Sequence, residues 1–217
     1  MENQEYFLRN RTAYKNAVSS SAGLYEQCGK VIEPYVQGRV LDIGSGGIIN
    51  YSLDRVEQLV CQDIIFDKQT IGHDKVSFVY GDFYDYKPLF SPDTVIAQFL
   101  FHHLSDDYRL IDSLSRLRQS MPKSACLIIA EVEMPGFLDK PQRVLLKPAL
   151  KLLAKPEVRF FTQPGLMDIL SRAGFKSTVI KSFRIQGMVN PAPVIFPRIR
   201  IPGWLYPFRI RIIKAFK

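Results

Sequence analysis

Residues 41–50 read LDIGSGGIIN: an apolar run interrupted by one acid, then three glycines within four positions. A strand that runs straight into glycines must turn sharply there, because glycine occupies left-handed backbone without steric cost. Four more short apolar runs follow, at 58–63, 76–80, 94–99 and 125–130, separated by polar or helix-patterned segments. Strands that are apolar on both faces and alternate with helices form a mostly parallel sheet, so the expected fold class is α/β, with helices on both faces.

The remaining segments fit that plan. Residues 12–35 have a helical pattern that stops at Pro34. In 106–119, Leu110, Ile111, Leu114 and Leu117 fall on one helix face, with Ser105 placed as its N-cap. A helix over 162–173 should end at Gly174, followed by a strand over 175–185. The final run, 208–217, alternates mostly apolar and basic residues, the period of a strand with one face buried. With 217 residues, 47% of them hydrophobic, a single domain is expected over 1–217. Within it, 1–35 should form an N-terminal helical lid, 134–160 an inserted amphipathic cap, and 186–207 a proline-rich basic connection. No apolar stretch approaches the length of a membrane span and the N-terminus has no leader pattern, so a cytoplasmic location is expected. Cys28, Cys61 and Cys126 are scattered, without metal or redox spacing, and are expected to be reduced thiols; no metal site is expected.

The glycine turn constrains its ligand. A dinucleotide turn needs G-x-G-x-x-G, and the third glycine position here is Ile49. An acid, Asp42, stands two residues before the first glycine, where it would repel a pyrophosphate but suit a cationic ligand. S-adenosyl-L-methionine carries a sulfonium and an ammonium and no phosphate. Asp42, Gly44 and Gly46 match motif I of the class I S-adenosylmethionine-dependent methyltransferases, commonly [DE]-x-G-x-G, and the chain resembles that family, in its small-molecule branch, over 36–185.

Further landmarks follow in the family's order. Asp63 ends the second strand about twenty residues on, where the resemblance implies that its two oxygens accept the ribose hydroxyls, with Ile64 beside it. Asp82 and its neighbour Phe83 follow the third strand, at the place of the adenine contacts. Gln98 ends the fourth strand beside the cofactor, and Ser45 completes the turn. The resemblance implies the Rossmann-like class I methyltransferase fold, a seven-stranded, mostly parallel sheet with an antiparallel last strand. A typical motif I has a further glycine at the position of Ile48, whereas here the glycine is Gly47.

Methyl transfer needs alignment, and a base when the acceptor is a hydroxyl. His102 and His103, just past the fourth strand, and Glu131, after the fifth, stand on the rim where ligands bind in open α/β sheets and are the candidate catalytic residues. In some small-molecule O-methyltransferases a His pair and an acid are similarly placed.

Charge is unevenly distributed. Residues 134–217 carry 16 Lys and Arg against 3 Asp and Glu, in a chain of net charge +8. Cations interleaved with apolar groups at 142–155, and a proline-broken stretch at 190–207 holding the only Trp, suit a lipophilic acceptor or an anionic membrane surface. Nucleic acid is less favoured, since there is no dense Arg run and no appended RNA-binding module. The reading is methyl transfer to a small hydrophobic acceptor, at oxygen before nitrogen or carbon. An RNA methyltransferase and a non-catalytic binding protein on the same fold are the alternatives.

Overall fold

The computed structural model describes residues 22–65, 73–152, 157–185, 188–189 and 200–217. Seven strands form one sheet: β1 (Gly38–Ile43), β2 (Val56–Asp63), β3 (Val76–Tyr80), β4 (Thr94–Gln98), β5 (Cys126–Glu133), β6 (Lys176–Arg184) and β7 (Arg209–Phe216). Their order is β3-β2-β1-β4-β5-β7-β6. All neighbours are parallel except β7, which runs antiparallel to both β5 and β6. The order reverses between β1 and β4, so a crevice opens at the C-terminal ends of those two strands.

Each face of the sheet is covered. Helices α2 (Asp107–Ser120) and α3 (Gln163–Arg172) pack with Leu41, Ile43, Val95, Leu127 and Ile129. On the other face, α1 (Ala22–Ile32) inserts Cys28 and Ile32 against Val40, Ile96, Ile128 and Ile212. Each Leu or Ile buried in these layers contributes about 1.5–3 kcal/mol of transfer free energy.

Several details differ from the sequence expectations. The N-cap of α2 is Asp106, one residue after Ser105; its carboxylate accepts the backbone N–H groups of Tyr108 and Arg109 at 3.0 and 3.1 Å. Strand β7 is buried on both faces, because it lies between β5 and β6: Ile210 and Ile212 point to one layer, Ile213 and Ala215 to the other. Its cations are accommodated individually, Arg211 by an ion pair with Glu133 and Lys214 over the Tyr35 ring at 5.0 Å. The connection from β1 to β2, residues 44–55, contains turns and no helix.

Of the expected lid, Tyr6, Phe7 and Tyr14 lie outside the described residues, and α1 is its described part. Of the expected cap, residues 136–138 form a 3-10 turn, 142–146 a π-helical turn and Lys147–Leu152 a short α-helix. The ends of the proline-rich connection meet in a two-residue ribbon, where Met188 pairs with Pro202 and Val189 with Ile201. No helix among the described residues is long and apolar enough to cross a membrane.

Candidate functional site

The glycine turn leaves β1 with Gly44 and Gly46 at φ of 66° and 56°. A side chain at Gly44 would also collide with Leu100, whose Cδ1 lies 2.6 Å from an ideal Cβ. Strand β2 fixes the turn. The Gln62 carbonyl accepts Gly44 N–H at 2.7 Å, and the Asp63 carboxylate accepts Gly46 N–H at 2.7 Å and Ile65 N–H at 3.0 Å. Ser45 is buried, and its hydroxyl accepts Gly47 N–H at 3.2 Å. Burial raises the Asp63 carboxyl above the usual range, against the backbone N–H groups of Ile65, Gly46 and Ile64 that favour its charged form.

Asp42 is buried beneath this turn at 1% exposure. The Tyr51 hydroxyl donates to its Oδ2 at 2.7 Å, while Oδ1 has no hydrogen-bond partner among the described residues. Burial pushes the carboxyl up to about 7; the Tyr51 hydrogen bond acts in the opposite direction and nearby Asp63 adds to the rise. Gln62, also buried, donates to the Gly81 carbonyl, and its own Oε1 has no partner among the described residues. The unused Asp42 oxygen beside the glycine turn is an acceptor suited to an ammonium or hydroxyl-bearing ligand and not to a phosphate.

Gln98, at the end of β4, exchanges hydrogen bonds with Asn50. Asn50 also donates to the Tyr25 carbonyl of α1, and its own carbonyl oxygen would lie 1.8 Å from a Cβ placed on Gly29. The loop after the glycines is therefore pressed directly onto α1. Asp82 accepts Tyr84 N–H at 2.9 Å, closing the turn after β3. The Phe83 ring is buried in the core 6.5 Å from Phe101.

The histidines occupy a 3-10 turn, Phe101–His103, entered through Phe99 at φ of 54°. A bulky residue in the left-handed region costs about 1–2 kcal/mol, and here it redirects the chain from Gln98 into the turn. His102 Nδ1 lies 2.7 Å from Glu131 Oε1. That carboxylate also accepts the N–H groups of Phe101, His102 and Val132 at 2.9, 3.3 and 2.8 Å. With so many donors converging, Glu131 acts as acceptor, His102 donates from Nδ1, and Nε2 is left as the basic nitrogen. Glu131 does not follow β5 as expected but lies within it at 1% exposure, because β7 extends the pairing to Glu133 through Glu131 opposite Arg211. Desolvation, reinforced by His102, holds His103 well below the usual histidine range, so it is neutral.

Two groups of candidates emerge. Asp42, Asp63 and Gln98 alternate onto the α1 side of the sheet, whereas Glu131 is on the α2 and α3 side with His102. Beside His102 runs an aromatic series that sequence reading did not anticipate: Phe160 stacks at 6.0 Å, Phe208 lies 4.9 Å from Phe160, and Tyr206 4.9 Å from Phe208. Asn50, Tyr51 and Gln62 were missed as well. Their only sequence signal was polarity within or just after apolar runs. Among the described residues, no group of three or more His, Cys, Asp or Glu is placed to hold a metal ion.

Strand order, antiparallel β7 and the glycine turn after β1 define the class I S-adenosylmethionine-dependent methyltransferase fold. No protein-family model matches the chain, and no curated protein matches it. Solved structures do. The chain is similar to DhpI, solved in complex with S-adenosylhomocysteine, at 13% identity and a TM-score of 0.60, covering 98% of this chain and 94% of that one. It is similar to YcgJ from Bacillus subtilis at 16% identity and a TM-score of 0.62, covering 92% and 98%. The pyocyanin biosynthetic protein PhzM aligns at 16% identity and a TM-score of 0.59 over 100% of this chain and 62% of its own.

Proposed function

We propose that this protein is an S-adenosyl-L-methionine-dependent methyltransferase acting on a small, hydrophobic acceptor at oxygen. The observation that carries the reading is the His102–Glu131 couple at the end of β4, beside the crevice of a methyltransferase fold. Similarity to DhpI in complex with S-adenosylhomocysteine and to the mitomycin 7-O-methyltransferase MmcR supports it.

In this reading Gly44, Ser45 and Gly46 let the backbone approach the cofactor, Asp42 offers its orphaned oxygen to the ligand's positive charge, and Asp63 uses its remaining lone pairs for ribose hydroxyls. Ile64, Asp82 and Phe83 flank the adenine, and Gln98 closes the crevice beside the methionine part. The bound cofactor would supply an electrophilic methyl group. Everything else is the work of this chain's residues. His102 Nε2 takes the hydroxyl proton of the acceptor, Glu131 holds the imidazole in the required tautomer and stabilises the imidazolium, and Phe160 offers an aromatic wall to a hydrophobic acceptor. His103, held neutral, supports the turn without sharing the charge.

Calorimetric titration with S-adenosylmethionine, S-adenosylhomocysteine and NAD tests the cofactor: binding of the first two without NAD is expected, and binding of none rejects the reading. His102→Ala tests the base. Turnover on a phenol or quinol acceptor should fall about 10²-fold or more with unchanged cofactor affinity; unaltered turnover removes His102 from the chemistry.

A further inference from the structure

We infer that the cap, residues 136–152, and the turn at 200–205 form a docking surface for an anionic lipid bilayer. Eleven large apolar side chains are exposed among the described residues, and six of them fall in these two short segments: Phe137, Val144, Leu145, Leu152, Trp204 and Leu205. Leu152 is 87% exposed and Trp204 69%. A soluble amphipathic helix turns such residues inward. In the cap, Gln142 and Leu150 are buried while Val144, Leu145 and Leu152 are exposed.

The two segments are held on the same part of the molecule. Gln142 exchanges hydrogen bonds of 3.0 and 2.8 Å with the backbone of Phe160, fixing the cap to the aromatic series. Phe208 and Tyr206 continue that series toward Trp204 and Leu205, with successive ring centroids 4.9 Å apart. Around them stand exposed Lys140, Lys151, Arg200 and Arg209, and the two segments contain a single acid, Asp139. Apolar side chains that insert at the headgroup level, ringed by cations, match the chemistry of an anionic leaflet, and tryptophan favours that interface. A nucleic acid would use the cations but leave the aliphatic residues in water.

The surface also deepens the proposed activity, and this clause rests on that reading: Phe160 joins the cap to His102, so an acceptor dissolved in the bilayer reaches the base along the aromatic series. Docking itself is measured without cofactor or acceptor, so the two ideas fail separately.

The test uses the full chain and its only tryptophan, Trp204. Titration with phosphatidylcholine vesicles containing one-quarter phosphatidylglycerol should blue-shift its emission, and vesicle flotation should carry the protein with the lipid. Pure phosphatidylcholine should bind more weakly, and added salt should weaken the anionic case. Leu145→Ser with Leu152→Ser, which leaves Trp204 in place, should lower vesicle affinity about tenfold or more. Lys151→Glu with Arg200→Glu, which leaves the apolar groups intact, should lower it selectively for anionic vesicles. No shift and no flotation with anionic vesicles overturns the proposal, as does wild-type binding by both variants. A blue shift that grows with protein concentration in the absence of lipid overturns it in favour of a second copy. A shift with RNA and none with vesicles overturns it in favour of nucleic acid.

Discussion

Asn50 and Gln98 face one another amide to amide, Asn50 Nδ2 donating to Gln98 Oε1 at 2.9 Å and Gln98 Nε2 donating back to Asn50 Oδ1 at 2.8 Å. The pair spans the connection after the glycine turn and the end of β4, the two walls of the crevice. Asn50 also donates to the Tyr25 carbonyl, so the pair is anchored to α1.

Breaking this pair should be costly on either side and less than additive on both. Asn50→Ala leaves a buried Gln98 amide without its partner, an expected loss of about 1–3 kcal/mol. In a double-mutant cycle with Gln98→Leu, urea unfolding should return a coupling energy of about 0.5–3 kcal/mol. A value near zero would show that the two amides do not depend on each other.

Two glycines of α1 should respond differently to alanine. Gly29→Ala gains about 1 kcal/mol of helix propensity but drives a methyl group into the Asn50 carbonyl, for a net loss of about 1–3 kcal/mol. Gly23→Ala meets nothing within 4 Å among the described residues and should be neutral or stabilising by up to about 1 kcal/mol. Chemical denaturation of the two variants side by side is the check. Equal effects would mean that α1 is not seated on residue 50.

Asp42 should make stability and ligand affinity depend on pH in opposite directions. Its folded carboxyl titrates at about 7, above its usual value of 3.8, so between those limits the folded protein holds the proton more tightly than the unfolded chain. The Asp42 contribution to stability is therefore fully present below the lower value and is lost as pH rises toward 7. Asp42→Asn should flatten that slope in thermal unfolding between pH 4 and 8 (about the window set by the shift). Affinity for a cationic cofactor should instead rise with pH through about 7 in the wild type and stay low in Asp42→Asn.

Glu131→Gln should separate orientation from binding. Glutamine presents one acceptor oxygen where the carboxylate presented two, so an amide N–H must face a donor among Phe101, His102 and Val132. Stability should fall by about 1–3 kcal/mol, and kcat by about 10²-fold or more, while the KM for the cofactor stays near wild type. Loss of stability alone, with kcat intact, would make Glu131 a clasp for the turn and nothing more.

The central strands β1, β4 and β5 were legible because they are buried on both faces and therefore written as apolar runs, and the turn was legible because Gly44 and Gly46 need left-handed backbone. The end of β5 was not. Glu131 and Glu133 look like the polar edge of a strand, and it is the distant β7, with Arg211 opposite Glu131 and Arg209 opposite Glu133, that makes them part of the sheet. Asp42, Asp63 and His102 could be picked out by residue type and spacing. Asn50 and Gln62 could not, since a lone amide becomes informative only when its partner, Gln98 or the Gly81 carbonyl, is known. Phe160, Phe208 and Tyr206 meet across nearly fifty residues of sequence and carry no common pattern.

An α-helix after the glycine turn would carry its order in its own ladder of backbone bonds. Residues 44–55 have no such ladder, and their order is distributed over Gln62, Asp63, Gln98 and the Tyr25 carbonyl. This loop therefore cannot open alone: exchange of the Gly46 amide with solvent requires release from β2, and release of Asn50 uncouples α1 as well. The crevice wall and the helix behind it behave as one cooperative unit, and a ligand that tightens either one slows the opening of both.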